Sequence, residues 1–268
     1  MGKIKLICCD IDGTLLRSDK SLSEENVNWI RKVLNEKKIP FVIVSGRIFS
    51  SVRNFYSILG IDGPSSCING ALLFDENGNI VADHRISANF ALDIYQIAKK
   101  MGVEMLGVFG KNWATNSHEG YLYSKKRPIY MTDSIIVNFD DFLHKQEMNK
   151  LLFMSKEKSV LIELERNIKE AFGCDVTYYP GPDFLEIMPK NINKGTAVID
   201  LSKHYNIPIS DIMVLGDDIN DIEMLKIAGV SVVMGNASED IKRLGSYITS
   251  DNNSDGVAKA LMHFLSEM

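Results

Sequence analysis

Two aspartates one residue apart close an apolar run, Ile7-Cys8-Cys9-Asp10-Ile11-Asp12-Gly13-Thr14. A strand beginning at Ile4 sends alternate side chains the same way, so Asp10 and Asp12 share a side. Carboxylates ~4 Å apart repel by roughly 4 kcal/mol at an effective dielectric near 20. A divalent cation or a shared proton is the simplest offset. One carboxylate can attack phosphorus and form an aspartyl phosphate, splitting a hard displacement into two easier ones. The other can protonate the leaving oxygen and then deprotonate water. Gly13 lets the backbone turn sharply after the pair. The same residues could also simply cap loop amides.

Three further motifs carry polar groups suited to that chemistry. In Val44-Ser45-Gly46-Arg47 a hydroxyl at a strand end, followed by glycine, can hold a phosphate oxygen beside helix-start N–H groups. Ser45 also suits an ordinary N-cap. Lys194-Gly195 offers an ammonium that could neutralise a nucleophile and a phosphoryl group, although a lysine at a helix start is normally exposed. Gly216-Asp217-Asp218-Ile219-Asn220-Asp221 offers oxygen ligands for a hard cation, or caps for the next helix. Asn220 can donate and accept at once.

The elements that must position these residues alternate between strand and helix. Ser23 is a candidate N-cap, and Val27, Ile30, Val33 and Leu34 follow at helical spacing. Phe41-Val42-Ile43-Val44 suits a strand buried on both faces. Ile48, Val52, Phe55 and Leu59 mark another helix. A short strand at 66–68 leads into Asn69-Gly70, and Asn77-Gly78 predicts a hairpin of Ala71–Phe74 with Ile80–Ala82. After Asp83 the pattern becomes α+β through about Pro189. The first rhythm then resumes, with a helix after Lys194, a strand Ile212–Leu215 and a strand Val230–Met234. This predicts a doubly wound parallel α/β sheet whose carboxyl ends share one crevice. Residues 1–83 and 190–268 form its core domain, and 84–189 an inserted domain.

Composition narrows the function classes. The 268 residues are 45% hydrophobic and 24% charged, with a formal net charge of -5. That mild acidity gives no support to nucleic acid or an anionic membrane as a partner. No apolar run reaches the ~20 residues of a membrane helix, and the early strand leaves no room for a signal peptide. Cys8, Cys9, Cys67 and Cys174 lack zinc-site spacing and read as free thiols of a cytoplasmic protein. The run Lys125-Lys126-Arg127 reads as a solvated loop. Trp113, Tyr121, Tyr123 and Tyr130 could stack on a substrate ring, but packing is their commoner use.

In order along the chain, the motifs resemble the haloacid dehalogenase superfamily, and within it the Cof-like phosphatases with a type IIB cap. The resemblance rests on Asp-x-Asp-Gly-Thr, Ser-Gly-Arg, Asn-Gly-Ala, Lys-Gly and Gly-Asp-x-x-Asn-Asp. It extends to Met234-Gly235-Asn236-Ala237 and Asp255-Gly256-Val257-Ala258. It implies a Rossmann-like core with an α+β cap. It also implies a Mg2+-dependent phosphatase of small phosphorylated metabolites, such as sugar phosphates, with no obligate protein partner evident. Asp10 would be nucleophile and metal ligand; Asp12 would be acid/base and bind metal through its carbonyl. Lys194 would stabilise charge, and Asp217 and Asp221 would serve the metal. Ser45, Gly46, Asn69, Gly70 and Asn220 would meet phosphate or substrate. Asn191 departs from the resemblance, because many relatives have glycine there. A phosphotransferase or mutase using the same intermediate, or a non-catalytic sugar-phosphate sensor, are the alternative functions.

Overall fold

The computed structural model describes residues 4–173 and 176–266. Cys174 lies outside the described residues. The chain forms two compact units. One takes Met1–Gly46, Val52–Val81 and Asn193–Met268; the other takes Arg47–Ser51 and Ala82–Ile192.

The chain opens with β1 (Leu6–Cys9), α1 (Glu24–Lys32), β2 (Phe41–Ile43), α2 (Phe49–Leu59), β3 (Ser65–Cys67), β4 (Leu72–Phe74) and β5 (Ile80–Asp83). Ser23 caps α1 by accepting from the Asn26 N–H, with Glu24 and Glu25 in the first turn. The hairpin of β4 and β5 closes where Asp75 N–H donates to the Asn79 carbonyl.

Next come α3 (Ala88–Lys100), β6 (Glu104–Phe109), β7 (Asn112–Thr115), α4 (Tyr121–Tyr130), β8 (Ile135–Ile136), α5 (Phe139–Phe142), β9 (Lys150–Met154), α6 (Lys158–Phe172), β10 (Val176–Pro180) and β11 (Phe184–Pro189). They build a six-stranded sheet in the order β10-β11-β9-β6-β7-β8. Alternation works as the pleat requires: Met105, Leu151, Phe153, Leu185 and Ile187 join Ile94, Leu164 and Ile168 of α3 and α6 in one core. On the other side of β9, Lys150 is buried and pairs with Glu186 at 2.8 Å. Trp113 and Tyr130 are buried against each other, and Tyr123 lies stacked between Trp113 and His118. Their aromatic rings serve packing.

Lys125-Lys126-Arg127 is helical, not a loop, because it lies in α4. The reason is remote in sequence. The Glu104 carboxylate accepts from the Tyr121 and Leu122 N–H groups and so caps a helix whose Gly120 has no capping side chain.

The chain returns to the first unit with α7 (Lys194–Tyr205), β12 (Ile212–Gly216), α8 (Ile222–Ile227), β13 (Val230–Val233), α9 (Glu239–Lys242), β14 (Tyr247–Ile248) and α10 (Gly256–Leu265). All pairs in the sheet β14-β13-β12-β1-β2 are parallel. Strands β1, β2, β12 and β13 are buried throughout, which explains the unbroken apolar sequences of the first three; in β13 the one polar residue, Ser231, donates its hydroxyl to the Leu225 carbonyl. Helices α1 and α10 pack together, as do α7 and α8. No helix among the described residues is long and apolar enough to cross a membrane.

Candidate active site

Strand register gathers the motifs. Cys9 lies beside Leu215 on β12 and Ile43 on β2, while Gly216 lies beside Val233 on β13. The next residues of each strand, Asp10, Asp217, Val44-Ser45 and Met234, therefore leave the sheet at one edge. The Asp10 N–H donates to the Leu215 carbonyl at 3.0 Å, fixing the first turn beyond the sheet.

Lys194 organises the acids. Its ammonium donates to Asp10 Oδ1 at 2.5 Å and to Asp221 Oδ1 at 2.6 Å, and its side chain is fully buried. A cation in the first helical turn opposes the helix dipole, so these two carboxylates are what make the position tenable. The helix start is fixed by Asn193, whose side chain accepts from the Gly195 and Thr196 N–H groups at 2.9 and 3.2 Å. The resemblance's missing glycine is accommodated here: Asn191 has φ +60°, the left-handed region that asparagine enters more readily than other side chains.

Asp221 is buried and spends its second oxygen on the Asp217 and Asp218 N–H groups at 2.9 and 3.1 Å. It braces the loop. Gly216 makes room for it, since a Cβ there would lie 2.6 Å from Asp221 Cγ. Asp217 accepts from the Thr14 hydroxyl at 2.7 Å and from Asn236 Nδ2 at 3.1 Å. Gly13, with φ +87°, leaves space for that carboxylate, because a Cβ would stand 2.8 Å from its Cγ.

Asp12 does not join this cluster through its side chain. Its carboxylate is 41% exposed and pairs with Lys20 at 3.0 Å. The repulsion inferred for Asp10 and Asp12 falls instead on Asp10, Asp217 and Asp221, whose oxygens lie within 4.8 Å of one another. The strand ends at Cys9, so alternation no longer holds Asp12 to the side of Asp10.

The electrostatics follow from this grouping. Burial pushes the Asp10 carboxyl well above its usual range, against the pull of Lys194, and Asp221 and Asp217 push it the same way. Asp217 is pushed up to about 7, chiefly by burial, while the Thr14 hydrogen bond acts in the other direction. Burial disfavours the Lys194 charge, but Asp10 and Asp221 outweigh it and raise its pKa above the ordinary lysine value. Three carboxylates thus face one ammonium in a desolvated place. A hard divalent cation with oxygen ligands fits that donor set and that unbalanced charge.

The predicted phosphate-side residues also meet. Ser45 is buried; its N–H donates to the Ser66 carbonyl and its own carbonyl accepts from the Asn69 N–H at 2.9 Å. Asn220 Nδ2 donates to Asn69 Oδ1 at 3.1 Å, and a Cβ on Gly46 would touch that same oxygen at 3.0 Å. Gly70 is placed by packing: with φ +92°, a Cβ there would overlap the Asn193 carbonyl oxygen. The residues that sequence reasoning left without a role are Thr14, Lys20 and Asn236. Thr14 and Asn236 stood in quoted motifs, whereas Lys20 has no signal beyond its nearness to Asp12.

Comparison with known proteins agrees with the fold. A family model described as haloacid dehalogenase-like hydrolase matches residues 7–261. The 5-amino-6-(5-phospho-D-ribitylamino)uracil phosphatase YcsE of Bacillus subtilis (strain 168) is 29% identical over 262 residues, covering 98% of this chain and 96% of its own. The HMP-PP phosphatase of Yersinia pestis (strain Pestoides F) is 26% identical over 277 residues, covering 98% and 96%. The crystal structure of a haloacid dehalogenase-like hydrolase from Bacteroides thetaiotaomicron superposes with a TM-score of 0.89 at 26% identity, covering 98% of this chain and 100% of that one. With a family match over nearly its full length, the chain belongs to the haloacid dehalogenase-like hydrolases, in their Cof-like branch.

Proposed function

We propose that the chain is a magnesium-dependent phosphatase of small phosphorylated metabolites, acting through an aspartyl phosphate on Asp10. The observation that carries this reading is the buried Lys194 ammonium held between Asp10 and Asp221, with Asp217 in the same cluster. Lys194 occupies Oδ1 of Asp10 and leaves Oδ2 as the attacking atom. Attack forms an Oδ2–P bond and breaks the bond from phosphorus to the substrate oxygen. Asp12 donates a proton to the departing alkoxide, then takes one from the water that cleaves the acyl phosphate. Phosphate leaves and Asp10 is restored. Ser45, Gly46 and Asn220 hold phosphoryl oxygens, and Asn69 steadies Asn220 and the Ser45 loop.

Magnesium, held by Asp10, Asp217 and the Asp12 carbonyl, would supply positive charge to the carboxylates and the phosphoryl oxygens. Lys194 contributes fixed charge from the protein itself, preorganised and therefore free of reorganisation during the reaction. Asp12, exposed and paired with Lys20, can exchange protons with a leaving group or with water.

The names of the relatives point to phosphorylated heterocycle and ribityl compounds, and we extend only the broader class, small phosphate monoesters, to this chain. In this reading the second unit is the cap that selects the leaving group. Buried free thiols at Cys8, Cys9 and Cys67 support a cytoplasmic setting.

The test is phosphate release from a panel of sugar phosphates, nucleotides and phosphorylated cofactors, with and without magnesium. The wild type should turn over several members only with magnesium, and Asp10→Asn none. Turnover by Asp10→Asn at the wild-type rate would sink the assignment.

A further inference from the structure

The motif Met234-Gly235-Asn236-Ala237 has no part in the reaction above, yet its asparagine reaches the acidic cluster. Asn236 follows β13 and is exposed. Its amide is nevertheless engaged at both ends. Nδ2 donates to the Gly13 carbonyl at 2.9 Å and to Asp217 Oδ2 at 3.1 Å. Oδ1 accepts from the Asn252 backbone N–H at 3.0 Å. That last bond fixes the orientation of the amide. A flipped amide would set its NH2 against an N–H donor and its oxygen against two acceptors.

We propose that Asn236 is a positioning residue for the cation site: it locks the Asp217 carboxylate to the loop that carries Asp10 and Asp12. Asp217 belongs to the loop after β12, whereas Gly13 belongs to the loop after β1. Asn236 comes from a third loop and spans both with the two hydrogens of one nitrogen. Thr14 holds the other Asp217 oxygen from the β1 side at 2.7 Å. The carboxylate is thereby clamped between two donors, and both N–H and O–H leave lone pairs on its oxygens for a cation.

The anchor behind Asn236 is equally defined. Gly235 N–H donates to the Ser250 carbonyl at 3.1 Å, and a Cβ on Gly235 would lie 2.8 Å from the Asp251 nitrogen. The chain therefore approaches the 249–255 loop closely there. In that loop the buried Asn252 side chain donates to the Leu16 carbonyl at 2.8 Å. Asn253 exchanges two bonds with Ser18, and Asp255 accepts from Arg17 and Ser23. The residues following Asp12 are thus tied to the same loop that orients Asn236. Asn252 makes separable contributions: its side chain ties the segment after Asp12, and its backbone sets Asn236.

This inference rests on the divalent-cation reading of the cluster. Its test is direct Mn2+ binding, by calorimetry and by the loss of free-ion paramagnetic resonance signal, with the full chain. Ligand-orienting partners typically contribute tenfold to a hundredfold in metal affinity. Asn236→Ala should weaken Mn2+ binding by about tenfold or more. Its KM for a phosphate ester at saturating cation should stay at the wild-type value, and raising the cation should restore kcat. Asn252→Ala keeps the backbone donor, so it should lower cation-free thermal stability while leaving Mn2+ affinity unchanged. Wild-type Mn2+ affinity in Asn236→Ala would overturn the proposal alone, as would an equal loss of affinity in Asn252→Ala. Absence of Mn2+ binding by the wild type would instead overturn the cation reading on which it stands.

Discussion

Replacing Gly70 with alanine distinguishes packing from substrate contact at that position. Gly70 has φ +92°, and a Cβ there would overlap the carbonyl oxygen of Asn193, with Ala197 N also only 3.2 Å away. Both neighbours are backbone atoms of the α7 start, so no flexible side chain can yield. The left-handed region costs an alanine about 1–2 kcal/mol, and forcing a methyl into packed surroundings adds roughly 1–3 kcal/mol. For a chain of this size the expected fall in melting temperature is roughly 5–15 °C. The displaced residue is Asn193, the cap that sets Lys194, whose contacts with Asp10 and Asp221 are 2.5 and 2.6 Å. Gly70→Ala should therefore lower kcat and thermal stability together, with little change in KM. Steady-state kinetics and a thermal melt of the same preparation measure both. An unchanged melt with a raised KM would refute the packing account and return Gly70 to the substrate side.

The remaining predictions concern both units. Lys150→Met leaves Glu186, 12% exposed, without the Lys150 ammonium and should destabilise the protein by up to about 3 kcal/mol, as read by urea unfolding. Burial works against the Lys150 charge, but Glu186 and Tyr130 outweigh it and raise its pKa above the unfolded lysine value of about 10.4. The stabilisation from this pair is thus fully present below about pH 10.4 and lost as pH rises through the folded value. Alkaline unfolding curves should show this slope in the wild type and lack it in Lys150→Met. Asn191→Gly should keep wild-type stability because φ is +60°, whereas Asn191→Val should cost about 1–2 kcal/mol in the same urea assay. Thr14→Val should weaken Mn2+ binding by about tenfold through loss of its bond to Asp217, measured by calorimetry.

Much of the frame was legible because its signals are local. Uninterrupted apolar runs at Phe41–Ile43 and Ile212–Gly216 marked buried parallel strands, and Ser23 marked a helix start. The acids at strand ends point to one sheet edge from the sequence alone. What stayed hidden depends on partners far along the chain. Lysine is an exposed residue by habit, and only Asp10 and Asp221, 184 and 27 positions away, make Lys194 a buried one. Helix α4 owes its start to Glu104, 17 and 18 residues earlier, and carries Pro128 inside, so local propensity argued against it. Asp12 was expected beside Asp10 by strand alternation, which fails once the strand has ended. Asn236 sits 223 residues from Gly13, and nothing in its own segment announces the contact.

The central claim is that Asp10 carries the phosphoryl group. Its most direct test is intact-protein mass spectrometry of Asp12→Ala mixed with magnesium and an aryl phosphate, whose phenolate leaving group departs without the proton Asp12 would give, followed by peptide mapping. Loss of the acid/base should stall the second step, so one phosphoryl group should accumulate on the peptide containing Asp10 and be absent from Asp10→Asn. Steady turnover by Asp12→Ala with no covalent phosphate on Asp10 would contradict the account.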